Sequence, residues 1–369
     1  MLQAEWNQIA PGNKVEPWQS FNWMEAAAAS YHQKHSLRII TVRKDGRLIA
    51  VAPMVLKRTE QPLKPKQLHI LGAEELKEPN RLIANDMASL KTLLDVITSE
   101  SVYPVRLSRM PNENGMLELA LNSFRKAGWI TRVMYMPYPF LDLERFAPKK
   151  SLKNDLRRAR KKAENLGPIG YENFDPVHDG DLTNRLETAF RIENSGWKGQ
   201  NKTSILSNQA RKDFFERYAR SSMQQGTLRL AFMTIDGSAV AVQYAIESKQ
   251  AYWLLNVGYD DQYRICSPGN LLLDRTIKDA AGRGLVRYNL LGKEEQWTRR
   301  WTHDSRDCFI LEAFRKNWSG LKAMVSDALY MAQKRRRDRL KLAHKKGRLN
   351  SSTDDLGAAN QITQEKGGK

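Results

Sequence analysis

A chain of 369 residues is longer than one typical core supports, so two domains are expected, and 41% hydrophobic with 27% charged residues are globular proportions. A formal charge of +19 directs attention to anionic partners, and two cysteines exclude a disulfide framework and fit a reducing compartment. The apolar runs, such as Ala239 to Ile246, fall far short of the roughly 20 residues that span a bilayer. With no N-terminal targeting pattern, a soluble cytoplasmic protein is expected.

In chain order, Leu37 to Arg58 predicts two strands joined at Asp45-Gly46. A helix is expected over Met87 to Glu100, a strand over Pro104 to Met110 and a helix over Met116 to Ala127. Gly128 to Leu143 reads as extended, with prolines at its exit. Ser151 to Leu166 predicts a basic helix with a serine cap, ending near Gly167. Helices fit Gly180 to Glu193 and Asn208 to Gln225. A three-strand meander follows, with Asp236-Gly237 at its first turn, and its third strand runs through Asn256-Val257-Gly258. A strand is expected at Leu285 to Gly292 and a short one at Cys308 to Phe314. A last helix starts near Trp318, and the polar residues from about Asn350 suggest disorder.

The chain also echoes itself. Leu37 to Val51 aligns without gaps on Leu228 to Val242, sharing Leu-Arg, Asp-Gly and Ala-Val, and Pro104 to Pro111 pairs weakly with Leu285 to Gly292. The expected fold is therefore α/β: two tandem units, each a mixed, mostly antiparallel sheet flanked by helices. The expected division is residues 1–148, 149–318 and a C-terminal helix with a basic tail over 319–369.

The stretch Asp260 to Gly284 carries the chemistry. Ser267-Pro268-Gly269 precedes an apolar helical pattern at Leu271, Leu272 and Ile277. A helix start leaves main-chain N–H groups unpaired and favours anions. Gly269 has no side chain to block approach, and Pro268 loses nothing by lacking an N–H there. With Arg264 three residues ahead of Ser267, the order becomes strand, Arg-x-x-Ser-x-Gly, helix, strand. It predicts a phosphate-binding loop, the alternative being an ordinary helix start.

That order resembles the acyl-CoA site of the GNAT acetyltransferase superfamily, whose pyrophosphate loop reads Arg/Gln-x-x-Gly-x-Gly/Ala. The second half is similar to the CelD-like (cellulose biosynthesis protein) branch, relatives of the FemAB aminoacyl transferases. It matches that branch at the basic helix Leu152 to Gly167, at Glu193, Trp197, Lys198 and Gly199, from Gly226 to Gly237, and at Tyr259, Asp260 and Tyr263 before Ser-Pro-Gly. The resemblance implies transfer of an acyl group, acetyl above all, from acyl-CoA to an amine or hydroxyl of a small-molecule or glycan acceptor, in polysaccharide or envelope synthesis, without a metal. It implies cofactor contacts at Asn256, Val257, Arg264, Ser267, Pro268, Gly269 and Asn270. Asp260 or Glu193 becomes the candidate base and Tyr263 or Tyr259 the candidate acid. Trp197, Lys198, Asn289, Trp297 and Arg299 become candidates for acceptor binding, with Trp253 either a wall of that site or core.

The last motif of the branch, Asp-x-x-Gly-Gly-Asp-x-x-Tyr-Lys-x-x-Trp, departs here. Asn289 stands for the Asp, Lys293 for the second Gly, Trp297 for the Tyr and Thr298 for the Lys, with Arg299 or Arg300 able to restore the positive charge. The FemAB kinship leaves aminoacyl-tRNA as an alternative donor, and the departures leave a non-catalytic scaffold as another. Cys266 reads as a small structural residue rather than a nucleophile. His32 and His35 read as surface residues, lacking partners for a metal. Lys149 to Lys162 carries eight Lys/Arg against one Asp, a solvated face or a surface for phosphates. Lys334 to Arg348 carries nine against one, leaving +11 for the rest of the chain, and could tether the protein to anionic membrane.

Overall fold

The computed structural model describes residues 2–32, 36–174, 179–337 and 339. The first unit opens with α1 (Leu2–Ile9), α2 (Phe21–Tyr31), β1 (Leu37–Lys44), β2 (Arg47–Arg58) and β3 (Lys66–Ile70). It continues through α3 (Ala73–Leu76), β4 (Ile83–Ala84), α4 (Met87–Glu100), β5 (Val105–Pro111), α5 (Met116–Lys126), β6 (Ile130–Tyr135) and β7 (Tyr138–Asp142). The second begins with α6 (Lys150–Glu164), β8 (Ile169–Phe174), α7 (Asp179–Ser195), α8 (Trp197–Gln200) and α9 (Gln209–Gln224). Then come β9 (Leu228–Ile235), β10 (Ser238–Ser248), β11 (Ala251–Tyr259), α10 (Pro268–Gly282), β12 (Arg287–Asn289), α11 (Gln296–Arg299), β13 (Ser305–Arg306) and β14 (Cys308–Phe314). A last helix, α12, covers 318–337.

Two seven-stranded mixed sheets result. The first runs β1-β2-β3-β5-β14-β6, with β4 beside β2; the second runs β8-β9-β10-β11-β12-β7-β13. The two follow one plan. Each has an antiparallel hairpin closed by Asp-Gly, with φ of 50° and 75° at Asp45 and Gly46 and of 49° and 74° at Asp236 and Gly237. Both central residues of such a turn need positive φ, which Asp tolerates and Gly favours. Each sheet has a single parallel pair, β3 with β5 and β11 with β12, bridged by helices α4 and α10. The internal echo is thus a structural repeat, and its weaker part joins the equivalent strands β5 and β12.

Each unit lends the other a strand. β7 leaves the first unit and pairs antiparallel with β12, while β14 returns to lie between β5 and β6. The expected boundary near residue 148 therefore does not separate the sheets. All seven residues of β14 are buried, so it needs a partner on both sides. Glu312, on this strand, is buried and ion-paired to Arg106 and Arg132. One apolar cluster joins the units: Trp23 of α2 meets Phe214 and Tyr218 of α9 edge-on, and Trp18 meets Trp253.

Some local expectations are corrected. α6 starts one residue before Ser151, with Lys149 at its N-cap and no side chain capping it. The predicted strand Leu285 to Gly292 shrinks to β12, because the chain turns at Leu291 and Gly292, both with positive φ. α1, α2, β3 and β8 were not read from the sequence. α2 is an alanine-rich helix packed between the units and shows little periodic contrast, and β8 is a half-exposed edge strand.

Candidate functional site

Strands β11 and β12 pair only from Ala251–Trp253 to Arg287–Asn289. Beyond Trp253, β11 continues to Tyr259 while β12 ends. The register of β11 against β10 slips between Tyr244 and Ala245, which makes Leu255 an extra residue on β11. The opening between the strands is a cleft of about 520 Å³. Leu254, Leu255, Leu273, Leu290 and Leu291 give it an apolar lining, and Glu78, Lys198, Asn256, Tyr259, Arg264 and Lys293 supply polar groups. Two smaller cavities share its walls. One of about 200 Å³ shares Glu78, Lys198, Leu255 and Asn256; one of about 220 Å³ shares Ser267 and Asn270 and is lined by Arg158, Lys162 and Arg300.

The N-terminus of α10 lies on this cleft through Ser267, Gly269 and Asn270. Ser267 has φ 48°, ψ 55°, and its side chain does not cap the helix. Its N–H donates to Arg264 O at 3.1 Å, and Asn270 N–H donates to Ser267 O at 3.0 Å. Pro268 has no N–H. Among the described residues, Gly269 is left with the N–H that has no main-chain acceptor. The expected cradle of amides from Ser267 to Asn270 thus reduces to one free donor, because the 3₁₀ turn at Asp261–Cys266 takes the Ser267 N–H and the first turn of α10 takes that of Asn270. The exposed guanidinium of Arg264 has its nearest carboxylate, Asp261, 3.9 Å away. A Cβ built on Gly269 would stand 3.4 Å from Tyr259 Cδ1, so a large side chain there would fill the cleft.

The expected residues divide. Asn256, Val257, Tyr259, Arg264, Ser267, Gly269, Asn270, Lys198 and Trp297 line the cleft together. Pro268 is buried and does not line the cleft. Glu193 is buried in a fixed network. Its Oε2 accepts from Ile205 N–H at 2.9 Å, and its Oε1 accepts from Asn256 Nδ2 at 3.3 Å and faces Lys198 Nζ at 3.2 Å. Both oxygens are engaged by donors, and Glu193 lines the 200 Å³ cavity rather than the main cleft, so its surroundings favour a structural tie over the expected base role. Lys198 also donates to Val257 O at 2.7 Å; burial pulls its ammonium pKa down while Glu193 opposes the shift. Gly258 is where α7 crosses β11: a Cβ there would lie 2.5 Å from Glu193 Cα.

Asp260 Oδ1 accepts from Gln262 N–H at 3.1 Å and caps the 3₁₀ turn. Tyr263 packs on the Ala159–Ala163 side of the core, outside the cleft lining. Asn289 is buried within the sheet, its Nδ2 directed at Tyr252 O at 3.5 Å, and Arg299 is held by Glu294 at 2.7 Å; neither lines the cleft. Trp253 is core, with Nε1 on Ser248 O. The side chain of Trp197 lies outside the described residues, as does His35. Cys266 is fully buried, burial pushes its thiol pKa up, and its Sγ is directed at Tyr263 O, as a structural residue requires.

Among the cleft residues that the sequence did not mark as functional is a glutamate far from every motif. Glu78 belongs to the first unit, on the loop after α3, and lines both the main cleft and the 200 Å³ cavity. Its Oε2 is buried without a hydrogen-bond partner among the described residues. Burial pushes its pKa up to about 7, against the pull of Arg109 and Arg211. Arg109 fixes the loop: buried and at φ 51°, it donates to Lys77 O and, at 2.8 Å, to Gly292 O of the second unit. No periodicity or motif marks Glu78; only the packing of one unit on the other brings it to the site.

A family model described as an acetyltransferase (GNAT) domain matches residues 150–299. No curated protein sequence matches the chain. Among solved structures, the C-terminal domain (DUF2156) of a putative lysylphosphatidylglycerol synthetase from Agrobacterium fabrum is 10% identical with a TM-score of 0.54, covering 88% of this chain and 94% of that one. FemX is 13% identical with a TM-score of 0.52, covering 84% and 94%. The L-PGS of Bacillus licheniformis is 12% identical with a TM-score of 0.50, covering 87% and 98%. At such identities the likeness is one of fold, and it extends over both units. Taken with the repeated sheet plan and the match over 150–299, it makes the architecture a tandem GNAT-like fold of the kind FemX shares, with the cleft in the second unit.

Proposed function

We propose that the protein transfers an acyl group from acyl-CoA to an amine or hydroxyl acceptor, with the first unit lending the base. The observation that carries this reading is the apolar cleft between diverging parallel strands, with the uncapped start of α10 on its wall. The Gly269 N–H, the Ser267 hydroxyl and Arg264 would meet the donor's diphosphate. The leucine-lined walls would take its pantetheine arm. Glu78 would accept the acceptor's proton as the nucleophile attacks the thioester carbonyl. Main-chain donors at the bulge around Leu255 would stabilise the oxyanion. When the C–S bond breaks, Tyr259 would protonate the departing thiolate. Acetyl as the acyl group, a glycan acceptor and a setting in polysaccharide or envelope synthesis rest on the CelD-like motifs.

The test is a thermal-shift panel of CoA thioesters beside charged tRNA. Stabilisation by an acyl-CoA that disappears in Gly269→Trp supports the reading, and no shift with any thioester overturns it. A second reading, an aminoacyl-tRNA donor, is favoured by the exposed Arg157, Arg158, Arg160, Lys161 and Lys162 of α6 beside the cavity shared with Ser267. It requires steeply salt-dependent tRNA binding that reversing these charges removes. Failure of both leaves a scaffold.

A further inference from the structure

Helix α12 does not titrate, ligate or catalyse anything described above, yet it carries the most exposed large hydrophobic side chain among the described residues. Trp318 is 81% exposed, and Leu321, Val325 and Leu329 follow it at 51%, 45% and 44%. The spacings of three, four and four residues place them along one face, over about 17 Å of helix. The opposite face is fixed to the first unit. Ala323 and Ser326 are buried, Ser326 Oγ accepts from Leu63 N–H at 3.1 Å, and Asp327 pairs with Arg132 and accepts from Gln61 at 3.2 Å. The helix is therefore held on the body with its apolar stripe facing outward. Soluble surfaces rarely leave such a stripe uncovered without a partner.

The charges around the stripe identify the partner. Lys316 and Lys322 lie near its start, and Lys334, Arg335, Arg336, Arg337 and Arg339 follow its end, all exposed. The acidic side chain described on the helix, Asp327, is turned inward to Arg132. An apolar face with an aromatic residue, bordered by a dense positive charge, suits the boundary between headgroups and acyl chains of an anionic membrane. A protein partner would have to be both apolar and strongly acidic to meet the same surface. No helix among the described residues is long and apolar enough to cross a membrane, so the contact is interfacial.

We infer that α12 is a membrane-docking helix that lies in the surface of an anionic bilayer. The stripe from Trp318 to Leu329 enters the interface, and the arginines from Arg335 onward bind lipid phosphates. The basic tail alone, with leucines only at Leu340 and Leu342, predicts no more than an electrostatic tether. The docking surface is independent of the donor used in the cleft.

The experiment is flotation of the full chain with phosphatidylglycerol-rich vesicles and with phosphatidylcholine vesicles. Binding to the first and not the second is expected. Leu321→Asp with Val325→Asp should weaken it about tenfold, as should Arg335→Glu with Arg336→Glu. Melting temperature and the ligand response of the cleft should stay unchanged, because these side chains are exposed. Quenching of tryptophan emission by brominated phosphatidylglycerol should disappear in Trp318→Phe. Equal binding to both vesicles, binding lost only on charge reversal, or no binding at all would each overturn the inference. So would a dimer of this chain that Leu321→Asp dissociates without any effect of vesicles.

Discussion

In each unit a helix crosses from one strand to its parallel neighbour: α4 between β3 and β5, α10 between β11 and β12. At α4 the N-cap is Asp86, whose Oδ1 accepts from Ser89 N–H at 2.7 Å. Its carboxylate both satisfies the helix end and repels anions. At α10 the N-cap is Ser267, in a left-handed conformation that leaves the helix without a side-chain cap. The strands differ in the same sense. Past β3 the chain folds at once into α3, and Glu74 ties it to Arg106 and Ser108 of β5, so side chains occupy the ground between those strands. Past β11 the 3₁₀ turn Asp261–Cys266 leads straight into α10, and the ground between β11 and β12 opens as the cleft. The repeat thus has one closed copy and one open copy, and the loop beyond the closed copy's α3 delivers Glu78 to the open one. Duplication followed by specialisation can let one copy become support for the other's site.

The largest effect that would break this comparison is on rate. Glu78→Gln should lower kcat by about 10²–10⁴ with acyl-CoA binding intact. The wild-type rate should rise with pH through about 7, where Glu78 becomes a carboxylate, and the variant should lose that limb. Stability should move the other way. A carboxyl raised from its usual 4.5 to about 7 favours the folded state while protonated, and that contribution is lost as pH rises from 4.5 through 7. Above pH 7 Glu78→Gln should therefore be more stable than wild type by up to about 3 kcal/mol, measured by denaturant titration. A variant with full activity, or one destabilised at high pH, would remove Glu78 from the site.

Next is binding. Gly269→Trp should abolish a ligand stabilisation that amounts to about 2.7 kcal/mol at a hundredfold excess over Kd, whereas Met87→Trp, at the equivalent start of α4, should leave it intact. Ser267→Asp gives the open copy the charge of the closed one, and calorimetry should show acyl-CoA binding weakened about tenfold or more. The smallest effect is the reverse. Asp86→Ala should cost about 1 kcal/mol of stability through the lost cap and leave ligand binding and turnover unchanged. A change in turnover there would mean that the closed copy also carries a site.

Much of this was legible. The Asp-Gly hairpins, the helices at Met87 and Met116, and the strand-loop-helix order around Ser267 follow from short-range chemistry: turn residues that accept positive φ, apolar periodicity and a proline in the first helical turn. The exchange of β7 and β14 was not legible. Cys308 to Phe314 reads as a strand in isolation, but which sheet takes it depends on which edge is vacant. Glu193 and Asp260 looked available as bases because a sequence shows charges and not their partners. In the fold one is bound by Lys198, Asn256 and Ile205 N–H, and the other caps a turn.

The sequence by itself determined that the chain repeats, where its Asp-Gly hairpins turn and where α4, α5 and α10 lie, since each depends on neighbours within a few positions. Tertiary structure decided which copy is open, that a glutamate with no motif stands in the cleft with an unpartnered oxygen, and that the apolar side of the last helix faces outward. Those properties depend on burial and on the approach of residues far apart in the chain, and the ordering of residues along the chain does not encode either of them locally.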